Sequence, residues 1–263
     1  MSKVLTIGPK KQVSKNLIAW DPMFPPTRPL DFSALRFPKA LRVLVLAPHP
    51  DDFDAIGVSM RFLHRQGHEI HVAVLTSGAS GVEDGYRGAR TDAQKAALRE
   101  AEQEESCAFF GLAAGRLSFL RLWEGGTEET ERERLRSYLL LKQPELVFLP
   151  HGKDSNRTHQ RTYENFRSIA LEEKLQLWAC MNLDAKTLHM RSDLFMYFGE
   201  PDALWKAQLL HFHRSQQERN LNTRNAGFDE RVLDVNKNAA NRVGAPQLYA
   251  EVFELEQYGA KAG

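Results

Sequence analysis

Long apolar runs are missing from this 263-residue chain. No stretch reaches the ~20 apolar residues of a membrane span, and the N-terminus has no apolar signal core. No membrane partner is expected, and a soluble, cytoplasmic protein is. Cysteine is nearly absent: Cys107 and Cys180 both lie inside apolar segments and have no C-x-x-C spacing, which predicts buried thiols in a reducing compartment. Net charge is lacking too. Thirty-five Lys and Arg against 34 Asp and Glu give +1, so no whole-molecule field draws in a nucleic acid or an acidic membrane. No G-x-G-x-x-G opens the first helix, so nothing there cradles the pyrophosphate of a dinucleotide. What is present, 42% hydrophobic and 26% charged residues, supports one large folded domain and excludes global disorder.

Proline is distributed unevenly. Six of the 12 prolines and a charge of +5 fall in the first forty residues, leaving about −4 for the remainder. Proline at that density prevents helix and interrupts sheet. Residues 1–40 are therefore expected to form a basic, extended arm anchored by Trp20, Phe24 and Phe32, ahead of a main domain over 41–263.

From Leu41 short apolar runs alternate with longer amphipathic ones. Strands are predicted at 41–47, 69–76, 117–120, 145–149 and 177–183. Helices are predicted at 54–66, 91–110 and 128–141, from near Asn156, and over 201–220. This β-α-β order predicts an α/β fold: a doubly wound, mostly parallel Rossmann-like sheet with helices on both faces. Such sheets bind ligands beyond the carboxyl ends of their strands, near the switch point of strand order.

Two loops at such ends are chemically dense. The first reads Pro48-His49-Pro50-Asp51-Asp52-Phe53-Asp54. One histidine and three carboxylates within six residues offer nitrogen and oxygen ligands suited to zinc or another divalent ion. The competing explanation is helix capping, which accounts for one aspartate and leaves the others. Asp52-Phe53-Asp54-Ala55-Ile56 also resembles the D-x-D-x-[TV] loop of haloacid-dehalogenase-type magnesium phosphatases, although that motif normally starts directly at the strand end. The second loop, Pro150 to His159, follows the strand ELVFL. On a parallel sheet it opens on the same edge as the first, so His49, Asp52 and His159 can serve as three ligands to one ion.

Together these elements resemble the PIG-L/LmbE-like zinc-dependent N-deacetylases. Pro48 to Asp52 matches the family's [A/P]-H-P-D-D-E motif, and Asn156-x-x-His159 matches H-x-x-H in part. The likeness extends to Arg99-x-x-Glu102 ahead of Phe-Phe-Gly-Leu, to His213-Arg-Ser-Gln216 and to Tyr249-Ala-Glu-Val-Phe253, so that it spans roughly 41–253. The resemblance implies His49, Asp52 and His159 as ligands of Zn2+ (another divalent ion stays open), Asp51 as general base, and Arg99 facing the substrate; mid-helix, Arg99 equally suits a surface ion pair with Glu102, three residues on. Two departures stand out. Phe53 replaces a glutamate, with Asp54 the one nearby carboxylate to compensate, and Asn156 replaces a histidine that would stabilise or protonate the reacting group. Asparagine donates a hydrogen bond but transfers no proton. Asn156 is also a favoured helix N-cap. His151 and His213 are the alternative proton donors, His213 being also a substrate-binding candidate.

The implied activity is removal of an acetyl group from an N-acetylglucosamine-type amide, the partner being a small-molecule N-acetyl sugar conjugate, with no nucleic acid. A homo-oligomer is left open. The segment 211–242 is rich in Arg and Asn and suits a charged part of a substrate; six Lys/Arg against four Asp/Glu make a poor nucleic-acid surface. A magnesium phosphatase using Asp52 as nucleophile, and a metal-binding protein with little hydrolytic activity, are the alternatives.

Overall fold

Val43, Val45 and Ala47 alternate with Leu44 and Leu46 along the first long strand, and all five are buried. A strand that is apolar on both faces must be covered on both. At ~1.5–3 kcal/mol for each fully buried large aliphatic side chain, such a strand is the natural centre of the fold. The computed structural model describes Phe24 and residues 27–37, 39–123 and 127–259, and shows that arrangement. An eight-stranded sheet runs in the order β1-β7-β8-β6-β5-β2-β3-β4. Its strands are β1 (Leu30–Asp31), β2 (Arg42–Ala47), β3 (Glu69–Val74), β4 (Leu117–Phe119), β5 (Leu146–Pro150), β6 (Leu177–Asn182), β7 (Leu194–Phe198) and β8 (Tyr249–Tyr258). From β4 through β6 every pairing is parallel.

The helices are α1 (Gly57–Arg65), α2 (Asp92–Phe110), α3 (Glu128–Lys142), α4 (Arg157–Glu172), α5 (Glu200–Leu210), α6 (Arg214–Arg224) and α7 (Phe228–Val243). Met60 and Leu63 of α1, Cys107 and Phe110 of α2 and Leu209 of α5 pack with Val43 and Val45 on one face. Leu135 and Leu139 of α3 and Phe166 and Ile169 of α4 pack with Leu44 and Leu46 on the other. The expected doubly wound α/β sheet is what forms. Chain order runs outward from β2 through β3 to β4, then returns to β5 on the other side of β2, which puts the switch point between β2 and β5.

The C-terminal third differs from the expectation. One helix over 201–220 is in fact two, α5 and α6, broken at His213 (φ −82°, ψ 61°), whose ring is drawn into the interior. Two strands were not foreseen: β8 lies antiparallel between β6 and β7. Residues of the N-terminal segment also enter this sheet. Leu30–Asp31 pairs with β7, and the rings of Phe24 and Phe32 pack against Trp178 (4.8 Å between centroids) and Phe148 (6.2 Å). Trp20 lies outside the described residues. Among the described residues no helix is long and apolar enough to cross a membrane.

Helix α1 opens without a side-chain cap from its own loop. Its Val58 and Ser59 amides donate instead to Glu251 of β8 (3.0 and 2.8 Å). Glu251 is in turn bonded by the fully buried Lys206 of α5 (2.7 Å), which also donates to Ala55 O and Asn236 Oδ1. Removing one partner of such a pair strands the other charge in a poorly solvated interior. Lys206→Met is therefore expected to destabilise the fold by about 3–5 kcal/mol, read from urea denaturation midpoints; a change under 1 kcal/mol would show that the pair is dispensable.

Candidate active site

The loop after β2 turns back on itself. The His49 amide donates to Asp52 Oδ2 (2.8 Å), and His49 Nδ1 lies 3.2 Å from the same oxygen. Across the switch point, Asn156 caps α4 by accepting from the Thr158 amide (2.9 Å), and the first turn of that helix carries His159 inward. His159 Nε2 lies 3.7 Å from Asp52 Oδ1. The His49 and His159 rings are 5.4 Å apart. One ligand atom from each of His49, Asp52 and His159 falls within 4.8 Å of the others. Donors about 2.0–2.1 Å from a tetrahedral ion stand about 3.4 Å apart, so the two closest separations suit a single small divalent cation.

The other ring nitrogen of His159 is also engaged. Its Nδ1 is 3.1 Å from Oδ2 of the fully buried Asp154, whose Oδ1 accepts from the Asn156 amide (2.7 Å). Asp184 Oδ2 stands 3.8 Å from the same nitrogen. A carboxylate behind a ligating histidine fixes its tautomer and aims the free nitrogen at the metal. Burial opposes charging His159, yet Asp52 and Asp154 overcome it and push the pKa up to about 9. Burial likewise pushes Asp52 upward, but His159 and His49 together hold it well below the usual carboxylate range. Asp52 therefore stays ionised between two imidazoles, a protonation state in which a carboxylate can ligate a cation.

Asp51 lines the same cleft as this ligand set and is held by contacts of its own. Its φ of 113° is a conformation that non-glycine residues rarely adopt, costing of order 1–3 kcal/mol. Four hydrogen bonds hold it: Gln103 Oε1 accepts from its amide (2.9 Å), Arg99 Nη2 donates to its Oδ2 (2.8 Å), and the Asp54 and Ala55 amides donate to its carbonyl. Arg99, 2% exposed, also bonds Pro50 O. Arg99 makes no ion pair with Glu102, which instead accepts from the Ser215 amide and hydroxyl. Gly81 leaves room for this guanidinium: a Cβ there would sit 2.8 Å from Arg99 Nη1.

None of the three loop aspartates caps α1. Asp54 turns inward, accepting from Gln103 Nε2 (3.0 Å) and His213 Nε2 (2.7 Å). Phe53, where the resemblance has a glutamate, is buried against Phe110 with ring centroids 5.0 Å apart.

A cleft of about 320 Å³ joins these groups. His49, Asp51, Asp52, Arg99, Asn156 and His159 all line it, as do Gly78, Ser80 and Gly81 after β3. Gly81 O is pinned by Gln216 Nε2 (3.0 Å) and Arg219 Nη1 (3.2 Å), so that loop forms a braced wall of the cleft. The structure thus brings six of the seven expected site residues together. His213 is fully buried beside Asp54 and does not line the cleft, and His151 is engaged by Lys153 N and Glu254. Sequence reasoning missed Asp154, Asp184 and Gln103. Asp154 stood in the same loop, five residues before a predicted ligand, a spacing that could have marked it.

The family model described as "PIG-L: GlcNAc-PI de-N-acetylase" matches residues 44–170, a span that holds His49, Asp52 and His159. The match covers just under half of the chain and supports the PIG-L resemblance there. No curated protein sequence matches the chain significantly. Among solved structures the chain is similar to the N,N'-diacetylchitobiose deacetylase of Pyrococcus horikoshii, with 20% identity over 82% of this chain and 83% of that one and a TM-score of 0.67. It is similar to the A40926 pseudoaglycone deacetylase Dbv21, with 17% identity, 85% and 100% coverage and a TM-score of 0.62. It is also similar to GalB, the 4-carboxy-2-hydroxymuconate hydratase of Pseudomonas putida, with 18% identity, 81% and 94% coverage and a TM-score of 0.61. At these identities the likeness speaks for the fold alone, and a hydratase among the neighbours shows that the PIG-L-like fold serves more than one reaction.

Two measurements test the cluster. Asp154→Asn is expected to weaken divalent-metal binding by about 10–100-fold, measured by competition with a chelating dye; unchanged affinity would remove Asp154 from the site. In the metal-free protein the His159 imidazole should titrate near pH 9 by NMR and stop titrating once zinc is added. A titration near 6.5 would show that the surrounding carboxylates do not act on it.

Proposed function

We propose that this chain is a metal-dependent N-deacetylase, with zinc as the favoured ion, acting on an N-acetylglucosamine-type conjugate. The observation that carries the proposal is a single cleft in which a His-Asp-His ligand set stands beside a carboxylate, Asp51, that does not belong to it. A divalent ion held by His49, Asp52 and His159 would supply Lewis-acid polarisation of the acyl oxygen and a more acidic water.

The remaining work falls to the protein's own groups. Asp51 accepts a proton from the attacking water. Burial raises its pKa, against the pull of Arg99, toward the range in which a carboxylate is an effective base. Arg99 holds the carboxylate in place through Oδ2. Asn156 spends its Oδ1 on the α4 cap, leaving its amide N–H groups to donate to a developing oxyanion. Because Asn156 transfers no proton, and His151 and His213 are both off the cleft lining, Asp51 also returns the proton to the departing amine.

The phosphatase alternative fares worse: both oxygens of Asp52 face histidines, and a nucleophile needs one of them free. Two free, buried cysteines support a reducing, cytoplasmic setting. Asp51→Asn is expected to keep bound metal while lowering kcat for amine release from N-acetylglucosamine conjugates by about 10²–10⁴-fold. Near-normal turnover would refute the assignment of the base. Loss of metal instead would move Asp51 into the ligand set.

A further inference from the structure

Four cations open onto the same cleft without a carboxylate of their own. Arg219 and Arg224 lie on α6, Arg231 on α7 and Lys186 in the loop after β6. Among the described residues none of the four forms an ion pair. The three arginines donate instead to neutral oxygens: Arg219 to Gly81 O (3.2 Å), Arg224 to Asn220 Oδ1 (3.0 Å), and Arg231 to that same Oδ1. Asn220 is 3% exposed and is held through its Nδ2 by Gln216 O (2.7 Å).

Two guanidiniums thus converge on one amide oxygen and repel each other. Burial, with Arg224 adding to it, holds Arg231 below the ordinary arginine range against the pull of Asp184. Asp51 is paired with Arg99 and Asp52 with the two histidines, while Asp184, 3.8 Å from His159 Nδ1, acts on Arg231 without forming an ion pair with it. A guanidinium has five N–H donors in a fork that matches carboxylate and phosphate oxygens. Paired arginines that spend few of those donors on neutral partners are completed by an oxyanion.

We propose that the α6–α7 side of the cleft is an oxyanion subsite, built on Arg224 and Arg231 around Asn220, that selects N-acyl substrates carrying a carboxylate or a phosphate. The inference deepens the deacetylase reading and rests on it for the acyl group, though not for the anion. A cleft of about 320 Å³, at the small end of ligand pockets, suits one sugar-sized unit with an acidic substituent.

Calorimetric binding of three matched probes tests it: N-acetylglucosamine, N-acetylglucosamine 6-phosphate and N-acetylmuramic acid. Each is titrated into the metal-loaded protein and into Arg224→Met and Arg231→Met, with thermal unfolding to check folding and Arg231→Lys as a second variant. At least one anionic probe is expected to bind about 10–100-fold more tightly than the neutral sugar, with both methionine variants bringing that ratio close to one. Whether the phosphate or the carboxylate binds better identifies the natural anion. Equal affinities for all three probes, or an advantage that survives both substitutions, would overturn the subsite. Parallel amine-release assays separate the two readings. Anion preference without turnover removes the deacetylase and keeps the subsite, whereas turnover without anion preference does the reverse.

Discussion

Asp52 joins two halves of the chain. One of its oxygens belongs to the His49 turn, and the other faces His159, which arrives from a loop far along the sequence. That meeting is possible because β2 and β5 are hydrogen-bonded neighbours in parallel register, Val43 opposite Leu146 and Val45 opposite Phe148. Parallel neighbours end on the same edge, and at the switch point their following loops diverge to leave a crevice between them. The cleft, the His-Asp-His cluster and the approach to Asp51 all follow from that one adjacency.

Behind the cluster the fold invests in buried polar chemistry, which is costly unless every group is partnered. The chain His213–Asp54–Gln103–Asp51 ties α6, the β2 loop and α2 together, and it holds Asp51 in a backbone conformation it would not choose alone. On the other side of the loop, Lys206 and Glu251 grip Ala55 and the start of α1 from α5 and β8. The H-P-D-D segment is therefore clamped from two directions. Such rigidity suits a site whose donors must stay within fractions of an ångström of their working positions.

Much of this was legible in advance, for identifiable reasons. Residues 41–183 alternate short apolar runs with amphipathic ones, the pattern of a parallel sheet with crossover helices, and their strand ends are where the H-P-D-D turn and His159 were expected to converge. The C-terminal third was less legible. Strand β8 carries Glu251, Glu254 and Glu256 among its apolar residues, and without their partners those acids read as surface positions. The single helix expected over 201–220 broke because His213 has a carboxylate waiting inside, which local propensity does not register.

Sequence alone determined the chemistry available here: which side chains can ligate, which can accept a proton, and that Asn156 cannot supply one. Such properties belong to residue types and short spacings. Tertiary structure decided how they are used. It placed Asp154 behind His159, turned Arg99 from Glu102 to Asp51, hid His213, and gathered Arg224 and Arg231 around one buried asparagine. Each of these outcomes depends on contacts between elements distant in the chain, and such contacts exist only once the sheet order is set.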